Sequence, residues 1–176
     1  MSSFRIARCG LCVALLAFAS CITIPFGPVP FTLQTLAVAM LPVALGGRDA
    51  TISVAIYLLL GGLGLPVFSG FSGGVAVLAG PTGGFLWGFL AGTACSIALE
   101  RAGQLPERLR EVLSAGVMLL VSYAWGTAQF MLVMQMALPQ ALALAVVPFV
   151  IPDVIKLAAG IQVGRAVRRA LRAQRA

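Results

Sequence analysis

Histidine is missing from the chain altogether, and lysine occurs once, as Lys156. Without histidine there is no imidazole to activate a serine or cysteine nucleophile, and the commonest nitrogen ligand for zinc is gone. No G-x-x-x-x-G-K-[ST] loop is present, so any ATP hydrolysis must belong to another chain. Acids are few: Asp49, Glu100, Glu107, Glu111 and Asp153. Only Asp153 lies inside an apolar run, so an intramembrane aspartyl protease, which needs two carboxylates, is excluded. Cys9-Gly10-Leu11-Cys12 has the CxxC form but no second ligand pair. All four cysteines lie in or beside apolar stretches and behave as small hydrophobes. No metal and no cofactor are expected. Gly70-Phe71-Ser72-Gly73-Gly74 satisfies the G-x-S-x-G pattern of a serine hydrolase. Its only conceivable base is Lys156, for which Asp153 is the more natural partner.

What the chain has in abundance is apolar surface. Hydrophobic residues make up 60% of it, charged residues 10%, and the mean hydropathy is +1.04. Such a chain is a membrane protein. The net charge of +7 would suit nucleic acid, but its distribution does not. Arg5 and Arg8, Arg48, Arg101 with Arg108 and Arg110, and Arg165, Arg168, Arg169, Arg172 and Arg175 each sit at the edge of an apolar segment. That is the positive-inside pattern, a statement of topology and not of nucleic-acid contact.

A spanning helix needs about 20 apolar residues, with about 17 tolerated. Read this way, the chain is a single domain over 1–176, an all-α bundle of six spans at about 9–24, 32–45, 49–60, 85–99, 112–137 and 140–172. The second and third are short, which predicts tilt or a re-entrant segment before them. Prolines 25, 28 and 30 forbid regular helix between the first two spans. A tight turn is expected over 46–49. Six spans with basic ends put both termini in the cytoplasm. The outer connections, 25–31, 63–83 and 139–148, carry no charge. The first two read as lids over an outward-facing pocket, because irregular backbone at membrane depth must line a cavity or be buried in protein.

Asp153 and Lys156 lie three apart in the last span, hence on one helix face. At about 1.5 Å per residue above Arg165, they sit about 18 and 13 Å from the inner boundary, near the middle of a layer about 30 Å thick. Ionised groups at that depth pair with each other or serve a ligand or a pathway. They are read as the polar floor of a small-molecule site; mutual neutralisation alone would be simpler as two leucines.

Four motifs carry a family resemblance: Ile24-Pro25-Phe26-Gly27-Pro28-Val29-Pro30-Phe31-Thr32-Leu33-Gln34-Thr35, Tyr57-Leu58-Leu59-Leu60-Gly61-Gly62-Leu63-Gly64-Leu65-Pro66-Val67-Phe68, Gly80-Pro81-Thr82-Gly83-Gly84-Phe85 and Pro152-Asp153-Val154-Ile155-Lys156. In this order they resemble the BioY biotin transporters, over the whole chain beyond the first ten residues. The resemblance implies the six-helix fold of the substrate-binding S components of energy-coupling-factor (ECF) transporters. It implies biotin as ligand, a place in the cytoplasmic membrane, and as partners a transmembrane T component and a pair of ATPases. It also implies a transport subunit and not an enzyme. Two departures stand out. Phe85 occupies a position where the family usually has tyrosine, and the first span lacks the Ala-x-x-x-Ala match through which S components tend to dock the T component. The nearest substitutes are Gly10 and Ala14, followed a turn later by Ala17 and Cys21.

The chemistry of biotin suits these residues. Its ureido ring offers two N–H donors and a strongly accepting carbonyl, which a carboxylate and an ammonium, Asp153 and Lys156, can read. Phe31, Tyr57, Phe68 and Phe85 supply walls for the thiophane ring and the valerate chain. The valerate carboxylate would meet Thr82 and backbone N–H groups of the glycine-rich loop, or alternatively Lys156. Gln34, just below the proline loop, is either a ligand contact or an interhelical hydrogen bond; Gln129 and Gln135 suit the second role. The other readings are a same-fold component for a different vitamin and a membrane serine hydrolase using Ser72. Arg5 and Arg8 before an apolar run, with Phe18-Ala19-Ser20-Cys21, also fit a signal peptide; the resemblance favours an uncleaved first span.

Overall fold

The computed structural model describes residues 3–25, 27–101 and 105–173. Phe26 of the proline loop, residues 102–104 of the 100–111 connection and Arg175 of the basic tail lie outside the described residues.

The first helix, α1 (Ser3–Cys21), begins and ends before the expected 9–24. It takes in Arg5 and Arg8 and stops where Thr23 Oγ1 donates to the Ser20 carbonyl (2.6 Å). Thr23 and Ile24 are extended instead. β-Branched residues favour strand, and Pro25 biases its predecessor away from helix. They form β1 (Thr23–Ile24), paired antiparallel with β2 (Phe31–Thr32), with Thr23 opposite Thr32 and Ile24 opposite Phe31. The proline loop is thus the tip of a hairpin.

Next come α2 (Gln34–Leu45) and α3 (Gly47–Gly62). The turn expected over 46–49 contracts to Gly46, whose φ of +89° suits glycine. Arg48 and Asp49 already belong to the first turn of α3, and the Gly47 N–H is accepted by Glu100 (2.6 Å). The glycine-rich stretch holds a 3₁₀ turn (Ser69–Phe71) and the short α4 (Val75–Ala79) before α5 (Gly83–Arg101). The next helix, α6 (Glu107–Met134), starts a turn before the expected 112 and ends at Gln135, in left-handed conformation. The expected last span, 140–172, is divided into α7 (Leu138–Ala145), a 3₁₀ turn (Val147–Phe149) and α8 (Val150–Ala173). Pro148 has no N–H to give and disfavours helix at Val147, so the chain must break there.

Two seams hold the bundle. Gly84, Gly88 and Gly92 of α5 face α6 so closely that a Cβ on Gly88 would lie 2.4 Å from the Ser122 Cα. Gly160 and Gly164 of α8 do the same against α2, with the Leu36 carbonyl 2.5 Å from the position of a Gly160 Cβ. Small residues at four-residue spacing let membrane helices approach this closely. At one end of the bundle Arg5 and Arg8 of α1 meet Asp49 of α3, and Arg165 and Arg168 of α8 meet Glu111 of α6. The hairpin, the glycine-rich stretch and α7 lie at the other.

Among the described residues four helical stretches are long and apolar enough to cross a membrane: Phe4–Cys21, Gly83–Arg101, Glu107–Met134 and Leu138–Ala173. This falls short of the six spans expected from the sequence, because α2 has 12 residues and α3 has 16. On α1, Gly10 and Ala14 are exposed, whereas Ala17 is partly buried against the core.

Candidate ligand-binding cavity

A cavity of about 80 Å³ opens at the end away from the arginines. The hairpin, the start of α2, the glycine-rich stretch, α5, α6 and α8 all contribute to its wall.

The charged part of that wall comes from α8. Lys156 Nζ donates to Asp153 Oδ1 at 2.8 Å, and both residues are buried (6% and 5% exposed). Asp153 Oδ2 accepts a second hydrogen bond, from the Tyr123 hydroxyl of α6 (2.8 Å). The Phe31 ring of the hairpin covers the ammonium, its centroid 3.6 Å from Nζ, a cation–π contact. The lysine and the aspartate each keep capacity beyond these bonds: an ammonium has three donors and a carboxylate about four acceptor positions.

Of the eight residues singled out in the sequence for the ligand, Asp153, Lys156, Gln34, Thr82, Phe68 and Phe85 line the cavity together. Tyr57 and Phe31 are not lining residues; they brace residues that are. Tyr57 is 1% exposed, accepts a hydrogen bond from Gln34 Nε2 and donates to the Val67 carbonyl (3.0 Å each). Its ring meets Phe68 edge-on, with centroids 5.4 Å apart. Phe68 in turn seats on Gly61, where a Cβ would lie 2.1 Å from the ring. Phe85 packs in the same way on Gly126 of α6. The loop carrying Thr82 is tied down by Gln129, whose Nε2 donates to the carbonyls of Leu78 (2.9 Å) and Gly80 (2.8 Å). Among the described residues, Gln135 bonds within its own helix end, to the Leu132 carbonyl (2.6 Å).

Sequence reasoning missed Tyr123, Ser122 and Phe149, all in the cavity wall. Tyr123 and Ser122 lie in the middle of a long apolar helix with no local motif. The two prolines just before Asp153 were the signal available for Phe149. Ser72 is not a lining residue, and its hydroxyl donates to the Ser69 carbonyl (2.7 Å) while the only lysine pairs with Asp153. The serine–lysine arrangement is therefore not assembled.

The BioY family model matches residues 1–173. The chain belongs to the BioY family. Among its relatives, the biotin transporter BioY of Thermotoga maritima is 49% identical over 88 residues, which are 50% of this chain and 52% of that protein. The biotin transporter BioY2 of Lactococcus lactis subsp. cremoris is 39% identical over 125 residues, 69% of each. A BioY from Rhizobium etli is 44% identical over 58% of this chain and 51% of its own length. The matched part thus spans about half the length of several of these relatives. The crystal structure of the S component for biotin from an ECF-type ABC transporter superposes with a TM-score of 0.85, covering 96% of this chain and 95% of that one at 23% identity. The fold is therefore the S-component fold, and this BioY-family chain is a multi-pass, all-α membrane protein.

Proposed function

We propose that the chain captures biotin at the outer face of the cytoplasmic membrane, as the substrate-binding S component of an ECF transporter. The observation that carries this reading is the Asp153–Lys156 pair, buried in the wall of a cavity it shares with aromatic side chains. A ureido ring needs acceptors for two N–H groups and a donor for its carbonyl. The carboxylate and ammonium provide both within one turn of α8, beside the aromatic rings of Phe68 and Phe85. The relatives named above as biotin transporters support the choice of ligand. Thr82 and the loop held by Gln129 are suited to the valerate carboxylate, which needs donors and no fixed cation.

The chain crosses the membrane six times in this reading, with α2 and α3 as short passes, both termini inside and the arginine-rich end in the cytoplasm. The positive-inside rule supports that orientation. It leaves the cavity open to the outside. A separate T component and ATPases would supply energy, and Gly10 and Ala14, exposed on α1, offer a close approach for a partner helix.

Equilibrium binding of radiolabelled biotin to the purified protein tests the ligand, with one biotin bound per chain expected. Co-purification of a different vitamin, identified by mass spectrometry, would replace biotin in this proposal. Coupling is tested by Gly10→Leu with Ala14→Leu. Uptake driven by the assembled transporter should fall severalfold while binding by the isolated chain stays near normal. Undiminished uptake would move the docking face elsewhere.

A further inference from the structure

Gln34 is 6% exposed and lines the cavity, and its amide has a defined direction. The Val67 carbonyl can only accept. Tyr57 Oη lies 3.0 Å from it, so the phenolic hydrogen points to Val67. The tyrosine oxygen is then left as an acceptor toward Gln34, 3.0 Å away, and the group facing it must be the amide nitrogen. A reversed amide would set two acceptors against each other. The amide oxygen therefore faces away from Tyr57, and among the described residues it has no hydrogen-bond partner. It is also absent from the fully enclosed unsatisfied atoms, so it is open to the cavity.

We infer that Gln34 Oε1 is a dedicated acceptor for one N–H of the ligand, and that Tyr57, which is not a lining residue, is the positioning residue that fixes this polarity. The inference rests on the reading of the cavity as a site for a ureido ligand. It divides the ring's two donors between helices: one N–H to Asp153 of α8, the other to Gln34 of α2. The close approach of α2 and α8 at Gly160 and Gly164 makes such a shared grip possible. Tyr57 ties the same amide to the loop carrying Phe68, through the Val67 carbonyl and the ring contact. A ligand with a second acceptor where the N–H should be would meet an oxygen and be rejected, which is the kind of discrimination a buried polar partner provides.

The test is radiolabelled biotin binding to the purified full chain, with thermal unfolding as a check that each variant folds. Wild-type binding comes first: its failure would overturn the ligand reading itself, and the amide inference with it. Given wild-type binding, Gln34→Met, similar in shape but without a strong acceptor, should weaken biotin by about tenfold or more. Tyr57→Phe frees the amide to turn and should cost about tenfold in the wild-type background but nothing further in Gln34→Met, where no amide is left to turn. An equal cost in the two backgrounds would mean that Tyr57 acts through packing, and would overturn its positioning role. Biotin methylated on one or the other ureido nitrogen gives a readout independent of folding. For one of the two analogues the loss caused by Gln34→Met should disappear. If it persists for both, the amide is not an acceptor.

Discussion

The protein keeps ion pairs in two places, and they are built differently. At the arginine-rich end, Glu111 of α6 is 5% exposed and takes Arg165 (2.6 Å) and Arg168 from α8. Asp49 of α3 likewise takes Arg5 and Arg8 from α1. Acid and base come from different helices, and the arginines keep about a fifth of their surface in solvent. In the cavity, Asp153 and Lys156 share one helix, and both side chains are 7% exposed. An ion pair within a helix joins no separate elements, yet its burial costs the desolvation of two charges. Pairs at the rim hold the architecture. The pair in the cavity reaches other elements through single contacts, with the Tyr123 hydroxyl of α6 and the Phe31 ring, and keeps hydrogen-bonding capacity for something else.

That contrast can be broken experimentally, beginning where the effect should be largest. Asp153→Asn and Lys156→Met each leave a buried charge without its partner, a cost of about 3–5 kcal/mol. That cost falls on folding; biotin affinity should fall separately, by about one to two orders of magnitude for the charged hydrogen bond lost to the ligand, measurable by equilibrium binding. The double change Asp153→Leu with Lys156→Leu sharpens the point: binding should vanish while thermal stability holds or rises. A protein that unfolds on losing both charges would make the cavity pair architectural after all. A smaller effect is expected at the rim. Glu111→Gln removes charge from a contact between two helices, which should lower stability by about 1–3 kcal/mol and leave biotin affinity unchanged in the folded fraction. Denaturation and binding assays on the same preparation separate the two. The smallest effect is reserved for Ser72→Ala, which should leave uptake intact. Labelling of Ser72 by a fluorophosphonate would contradict that assignment.

Legibility in the sequence followed the range of the interactions. The Asp153–Lys156 pair was readable because three-residue spacing on a helix is a local fact. The helices α5 and α6 were readable because their apolar runs are long. The proline loop was correctly barred from helix, but its hairpin was invisible: two-residue strands carry no periodicity, and Thr23 and Ile24 read as a continuation of the apolar run. Tyr123 was missed because its partner Asp153 lies 30 positions away. Tyr57 reads from the sequence as a wall residue, since an aromatic in a site motif looks the same from either side of the wall; its hydrogen bonds to Gln34 and Val67 reveal which side it occupies. Gln34 had two competing readings, ligand contact or interhelical bond. The structure gives its nitrogen the second, a bond to Tyr57 of α3, and gives its oxygen no hydrogen-bond partner among the described residues.

The scarcity of lysine has a practical side. Every other basic side chain is a guanidinium, so the cavity contains the only side-chain amine of the polypeptide. An amine-selective acylating reagent thus has a single side-chain address, and that address lies beneath the Phe31 ring and beside Asp153. The extent of acylation at Lys156, read by peptide mass spectrometry, becomes a native footprint of occupancy. It needs no introduced cysteine and no fluorophore, and it can be followed in whole membranes as the site fills and empties.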